Sequence, residues 1–176
     1  YTLKAPRLGA ASTFAAGTGL VVADGIGEGI AAVEVVALPS TQTRTLDLPD
    51  RGVVGSAALV LEDGRVALLG GVTRDGAAPP GIAFDPKCVA NCSSTEITPA
   101  LPSPLVRTQA FAFRGGYLIL GDRPDDGVTL AFRVEGSAVV PVSFRVPRSG
   151  STAVLAPTGN VLVVGGGTTE IESFLP

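Results

Sequence analysis

The sequence predicts an all-β fold made of repeated units, and three observations predict it. Gly64 to Gly71 reads G-R-V-A-L-L-G-G, and Gly159 to Gly166 repeats the layout as G-N-V-L-V-V-G-G: a tight turn, a short apolar strand and a glycine pair. Glycine (23) and proline (14) together exceed a fifth of the 176 residues, valine, threonine and alanine are plentiful, and helix-favouring charged runs are absent, which is the composition of many short strands joined by turns. Third, the punctuation recurs. Arginines at 7, 51, 107 and 148 lie 44, 56 and 41 residues apart, and paired strand terminators at 24, 70, 121 and 165 lie 46, 51 and 44 apart.

Each unit opens with an arginine near a Pro or Gly. The first runs from Arg7 through a strand at Ala10 to Ala15, a turn at Gly17 to Gly19, a strand at Leu20 to Ala23 closed by Asp24-Gly25, and further strands at Ile30 to Leu38 and Thr43 to Leu48. The second opens at Arg51 and pairs Ala57 to Leu61 with Arg65 to Leu69. Asp63-Gly64 between them is a strong hairpin signal, because a tight connection wants residues that tolerate positive φ. Ile82 to Asp85, Lys87 to Ser94 and Glu96 to Leu101 complete it.

The third unit opens at Arg107, with Thr108 to Phe113, a turn at Arg114 to Gly116, Tyr117 to Leu120 closed by Gly121-Asp122, then Val128 to Val134 and Val139 to Val146. The last opens at Arg148, with Thr152 to Ala156, a turn at Thr158-Gly159, Val161 to Val164 closed by Gly165-Gly166, and Glu170 to Phe174. A period near 45 with four strands per unit is the signature of a β-propeller blade, and favours a repeat array over a sandwich. One repeat domain over 1–176 follows, with blades at 7–50, 51–106, 107–147 and 148–176 and residues 1–6 as an outer strand.

These marks carry a resemblance. The leading arginine, the glycine turn, the apolar strand before Gly70-Gly71 and Gly165-Gly166, and Phe84-Asp85-Pro86 together resemble Kelch-type repeats, including divergent bacterial versions related to the galactose-oxidase propeller. The likeness spans nearly the whole chain and is best in the second and fourth units. Asp24-Gly25 and Gly121-Asp122 replace the glycine pair in the other two, and the outer-strand tryptophan of such repeats is missing because the chain has none. The resemblance implies either a closed four-bladed ring or four consecutive blades of a six- or seven-bladed one. Tyr1 to Ala5 would serve as an outer strand, completing a last blade that lacks its own. A start at Tyr1 and the absence of any methionine lead to the expectation of a processed product or a piece of a longer chain.

Composition excludes several functions. A net charge of -3 without a Lys/Arg cluster lacks the basic footprint of a nucleic-acid surface. No apolar run approaches the ~18 residues of a membrane helix. Zero histidines exclude Ser-His-Asp and Cys-His catalysis, and also the copper ligation of the oxidases in the resembled family. No catalytic residue, metal or cofactor is assigned.

Alternation of strand direction brings Arg7, Arg51, Arg107 and Arg148 to the same end as the loops 24–29, 72–81, 122–127 and 167–169, the expected binding face. Two readings of the arginines stay open: inter-blade fasteners pairing with carboxylates or carbonyls, or a ring of guanidinium forks for anionic or polyhydroxy ligands. Asp122, Asp125 and Asp126 form the densest charge cluster; carboxylates suit calcium, but D-R-P-D-D-G lacks the alternating spacing of a calcium loop, so a solvated turn is expected. Cys88 and Cys92 fit a local disulfide in the loop between third and fourth strands, since a zinc site without histidine would need carboxylates.

The expected function is an exported binding or assembly module, secreted, periplasmic or at the cell surface. Its partners would be a protein or glycan ligand, or further propeller blades. The alternatives are a fragment of an oxidase- or lyase-like propeller enzyme and a structural cell-surface subunit.

Overall fold

The computed structural model describes residues 2–28, 32–40, 42–97 and 100–175. Among them are fifteen β-strands and no helix, grouped into four antiparallel sheets that follow one another along the chain. Sheet 1 contains β1 (Ala11–Ala15), β2 (Gly19–Ala23), β3 (Val33–Val36) and β4 (Thr43–Leu46). Sheet 2 contains β5 (Val54–Val60), β6 (Val66–Val72), β7 (Gly81–Phe84) and β8 (Ser94–Ile97); sheet 3 contains β9 (Val106–Phe113), β10 (Gly116–Asp122), β11 (Thr129–Glu135) and β12 (Ala138–Val142). Sheet 4 has β13 (Ser151–Leu155), β14 (Val161–Gly165) and β15 (Glu172–Phe174). Every strand pairs with its chain neighbour, so each sheet is a meander.

The turns behave as their residues require. Gly64 adopts φ +85° and its N–H reaches Leu61 O at 2.9 Å, while the Asp63 carboxylate accepts the N–H of Arg65. Asp24-Gly25, Gly70-Gly71 and Gly165-Gly166 all take positive φ at both residues. Glycine is needed at Gly70-Gly71 for a second reason: a Cβ on Gly70 would lie 2.7 Å from Thr108 Cγ2, and one on Gly71 would run into Val53 Cγ1. The pair lets neighbouring sheets approach backbone to side chain.

Three apolar clusters lie between successive sheets. Val21, Val33 and Val35 of sheet 1 pack with Val66, Leu68 and Phe84 of sheet 2. Ala67 and Leu69 meet Leu105, Ile119 and Phe132 of sheet 3, and Leu118, Leu120 and Ala131 meet Ala153, Val161 and Val163 of sheet 4. Each sheet therefore offers one face backward and one forward. The innermost strands stack in chain order, β1 on β5, β5 on β9 and β9 on β13, and the four sheets are not closed on one another.

Several expected boundaries move. The third strand of sheet 1 spans Val33–Val36 rather than Ile30 to Leu38, with 29–31 outside the described residues. Lys87 to Ser93 is loop, held by the disulfide, and β8 begins at Ser94 rather than Glu96. Residues 2–5, expected as an outer strand for the last sheet, form no strand. Thr2 O instead accepts a hydrogen bond from Thr43 Oγ1 of sheet 1, and sheet 4 has three strands among the described residues.

Candidate functional site

The arginine end of the array is built from the links between sheets. Left-handed backbone at Gly9, Gly55, Arg107 and Gly150 marks one position recurring at the start of every sheet. Two residues before it stand Arg7, Val53, Leu105 and Arg148, spaced by 46, 52 and 43 residues, which matches the 46, 51 and 44 of the strand terminators. The four arginines thus do not occupy one repeated place. Arg51 lies two residues before Val53 and Arg107 two residues after Leu105.

Arg7 and Arg148 are true counterparts. Arg7 Nη2 donates to Glu34 Oε1 at 2.5 Å and Arg7 Nη1 to Asp24 O at 3.0 Å, with 1% of the arginine side chain exposed. Arg148 donates from Nε and Nη2 to Glu172 Oε1, both at 3.1 Å, and from Nη1 to Gly165 O, with its side chain fully buried. The same carboxylates accept backbone N–H groups three residues upstream of each arginine, Lys4 for Glu34 (2.6 Å) and Arg145 for Glu172 (2.7 Å). Lys4-Ala5-Pro6-Arg7 and Arg145-Val146-Pro147-Arg148 are therefore one motif in one conformation, with its glutamate on the third strand.

In sheets 2 and 3 the register puts Ile82 and Phe132 where Glu34 and Glu172 stand, and Val53 and Leu105 take the place of the arginines. Apolar residues replace the ion pair, and Leu105 and Phe132 share one apolar cluster. Pro102 falls where Lys4 and Arg145 donate, and it has no N–H to leave unsatisfied once the glutamate is gone. Burial alone would raise the Glu172 carboxyl, but the Arg145 N–H, the Arg148 guanidinium and the Val146 N–H outweigh it and hold the group below its ordinary value.

The other two arginines bind single junctions. Arg51, 12% exposed at its side chain, donates to Asp24 Oδ2 at 3.2 Å across the sheet 1–2 junction and to Pro80 O at 2.7 Å. Ser56 Oγ donates to the same Asp24 oxygen at 2.6 Å. Burial is the largest influence on Asp24 and pushes its carboxyl up despite Arg51 and Ser56. Arg107 reaches Asp122 from Nε at 2.7 Å and also from Nη2, yet 65% of its side chain stays exposed.

The three aspartates separate. Asp122 is buried, accepting from Thr129 Oγ1 at 2.6 Å and Gly150 N at 3.1 Å, and so ties sheet 3 to the link into sheet 4. Asp126 pairs with Arg123 on the exposed loop and accepts the Val128 N–H, which lowers its carboxyl to about 2. Asp125 is exposed beside them. Among the described residues no group of three or more His, Cys, Asp or Glu converges on a cation position.

Cys88 and Cys92 are bonded, with Cα atoms 5.7 Å apart, in the loop between β7 and β8. Arg44 of sheet 1 donates to Cys88 O at 2.5 Å and also to Pro86 O, so the closed loop of sheet 2 becomes an acceptor for its neighbour.

Several open spaces lie elsewhere. Residues of β1, β5 and β9, among them Ser12, Ser56, Ala57, Thr108 and Gln109, line one of about 290 Å³. Gln109 bridges to β13 from there, accepting from Ala153 N at 2.8 Å and donating to Ala153 O at 3.1 Å. The larger cavity, about 420 Å³, sits at the opposite end, between the β5–β6 and β9–β10 turns, lined by Leu61, Glu62, Arg65, Phe113 and Tyr117. Nothing in the repeat pattern pointed to it, since its residues come from turns that differ between units.

At the arginine end Arg74, Arg107 and Arg123 keep accessible side chains, whereas Arg7 and Arg148 are buried. Arg74 and Arg123 sit in the second-to-third-strand loops, the loops expected to form the binding face, but only exposure distinguishes them from the buried set. In chemical terms this end holds sheets together and offers guanidinium forks on mobile-length side chains at its rim. Compared with protein-family models and with curated proteins, the chain matches none.

Proposed function

We propose that the chain is a run of four Kelch-like propeller blades, exported, and that it works as a binding and assembly module rather than as a catalyst. The observation that carries this reading is the use of the polar residues. Asp24, Asp122, Arg148 and Glu172 are spent on sheet junctions and Glu34 on the segment leading into sheet 1, while the outward side of sheet 4 and the rim guanidiniums of Arg74, Arg107 and Arg123 face solvent. Four successive meanders with stacked inner strands support the propeller layout. The Cys88–Cys92 bond supports an oxidising compartment. Among the described residues no helix is long and apolar enough to cross a membrane.

Forked guanidinium groups at the rim suit anionic or polyhydroxy groups of a glycan or protein surface. The test is binding of the immobilised chain to an array of acidic and neutral glycans, repeated with Arg107→Ser and Arg123→Ser together. Binding that weakens at least tenfold in the double variant supports the module; a chain that binds no glycan or protein surface and forms no assembly refutes it.

A further inference from the structure

We propose that the cavity between the β5–β6 and β9–β10 turns is a carbohydrate site that takes a neutral pyranose sugar, at the end of the sheets opposite the arginines. The site shares no residue with the arginine end, so either can fail alone.

The space is built by neighbouring turns of sheets 2 and 3. It measures about 420 Å³, within the roughly 300–1,000 Å³ of small-ligand pockets. Leu61, Tyr117 and Val134 line it as members of the apolar cluster between the two sheets, and Phe113 adds a second ring. The Arg133 guanidinium lies 4.9 Å from the Phe113 centroid and helps to fix that ring. Gly115 and Gly136 leave part of the wall bare, with nothing within 4 Å of where their Cβ atoms would stand.

The polar groups decide the class of ligand. Arg65 is held in place: its backbone N–H and Nε donate to the Asp63 carboxylate at 3.0 and 2.7 Å, and Nη1 donates to Thr95 Oγ1 at 2.9 Å. Among the described residues Arg65 Nη2 has no acceptor, the Glu62 carboxylate has no donor and the Tyr117 hydroxyl has no partner. The lining therefore offers an unused N–H donor, a carboxylate that only accepts and a hydroxyl that does both.

Charge excludes the simpler ligands. Glu62, Asp63 and Arg65 are the charged residues of the lining, so an anion would meet two carboxylates and a cation would meet a guanidinium. A neutral sugar meets neither objection. Its hydroxyls both donate and accept, so one can donate to Glu62 while another accepts from Arg65 Nη2, and hydrogen bonds to charged groups are the stronger kind. The C–H face of a pyranose is apolar and suits the rings of Tyr117 and Phe113.

Tyrosine fluorescence tests this, because the chain has no tryptophan and two tyrosines, Tyr1 and Tyr117. The purified chain is titrated with methyl α-glucopyranoside, methyl α-mannopyranoside, lactose, maltose and cellobiose, and in parallel with glucuronate and glucosamine, with calorimetry giving Kd. At least one of the neutral sugars is expected to bind saturably and to change the emission. Glu62→Ala and Arg65→Gln, both at a solvent-facing turn, should each weaken that binding about fivefold or more. Tyr117→Phe keeps the ring in its cluster, and should weaken binding and abolish the emission change. Melting curves check that the variants fold. Arg107→Ser with Arg123→Ser should leave the affinity as it is.

The proposal is overturned if no neutral sugar binds, if glucuronate or glucosamine binds more tightly than all of them, or if Glu62→Ala and Arg65→Gln leave the affinity unchanged. An emission change that persists in Tyr117→Phe overturns it as well. Sugar binding that falls only in the Arg107 and Arg123 double variant sinks this site and upholds the arginine rim; binding that falls only in Glu62→Ala and Arg65→Gln upholds this site and counts against the rim.

Discussion

Asp24 occupies, with φ +56°, a place that Gly70 and Gly165 occupy in sheets 2 and 4. An aspartate tolerates this conformation better than most side chains. It is kept in exchange for what its carboxylate holds: Ser56 Oγ and the Arg51 guanidinium of the next sheet. Because burial raises the folded value above 3.8, the native state binds more protons than the unfolded chain between 3.8 and that higher value. Stability from this group therefore falls as pH rises through that window. Asp24→Asn keeps an acceptor and a residue suited to positive φ, and should flatten the stability profile across the window in urea titrations from pH 3.5 to 7. An unchanged slope would show that Asp24 is not the source. Asp24→Gly should behave differently, losing about 1–3 kcal/mol at neutral pH as Ser56 and Arg51 lose their acceptor.

At the scale of the element, a buried Arg–Glu pair and an apolar pair solve the same problem in different sheets. Removing one partner of a buried ion pair strands the other, at about 3–5 kcal/mol, whereas exchanging both for apolar groups is often neutral. Arg148→Leu alone should lower stability by about that amount. Arg148→Leu with Glu172→Phe copies Leu105 and Phe132 of sheet 3, and should recover most of the loss. The recovery will be incomplete while Arg145 N–H, satisfied by Glu172, has no acceptor; Arg145→Pro, copying Pro102, should restore part of the rest. Calorimetric melting of the three variants beside the wild type decides it: a double variant no better than the single one would break the equivalence. The pair also has a pH signature opposite in sign to that of Asp24. Glu172 lies below its ordinary 4.5, so its contribution is present above that value and is lost as pH falls through the lower folded one.

For the whole molecule, packing only between chain neighbours makes stability a sum of sheets and junctions. Sheets 2 and 3 have a packed neighbour on both sides, while sheet 4 has one and lacks a fourth strand among the described residues. Amide exchange of the isolated monomer should therefore release β14 and β15 before β6 and β10, with protection at Val163 at least tenfold below that at Leu68 and Ile119. Equal protection across all four sheets would mean one cooperative unit instead.

Much of this was legible in the chain itself. Strands and hairpins follow from local chemistry: Asp63-Gly64 closes a tight turn wherever it stands, and the glycine pairs recur because left-handed backbone and close approach both demand them. The four-unit spacing, and Cys88 with Cys92 in one short loop, could also be read directly. Which arginines matter could not. Arg7, Arg51, Arg107 and Arg148 look alike in one dimension, and the paired K-A-P-R and R-V-P-R segments gain meaning only when a glutamate 24 or 27 residues later closes on them. The sequence alone thus determined the strands, the turns and the count of sheets, since these depend on neighbours along the chain. Tertiary structure decided which charges are buried, which cavity is large and which sheet face is uncovered, because burial depends on residues brought together from different sheets.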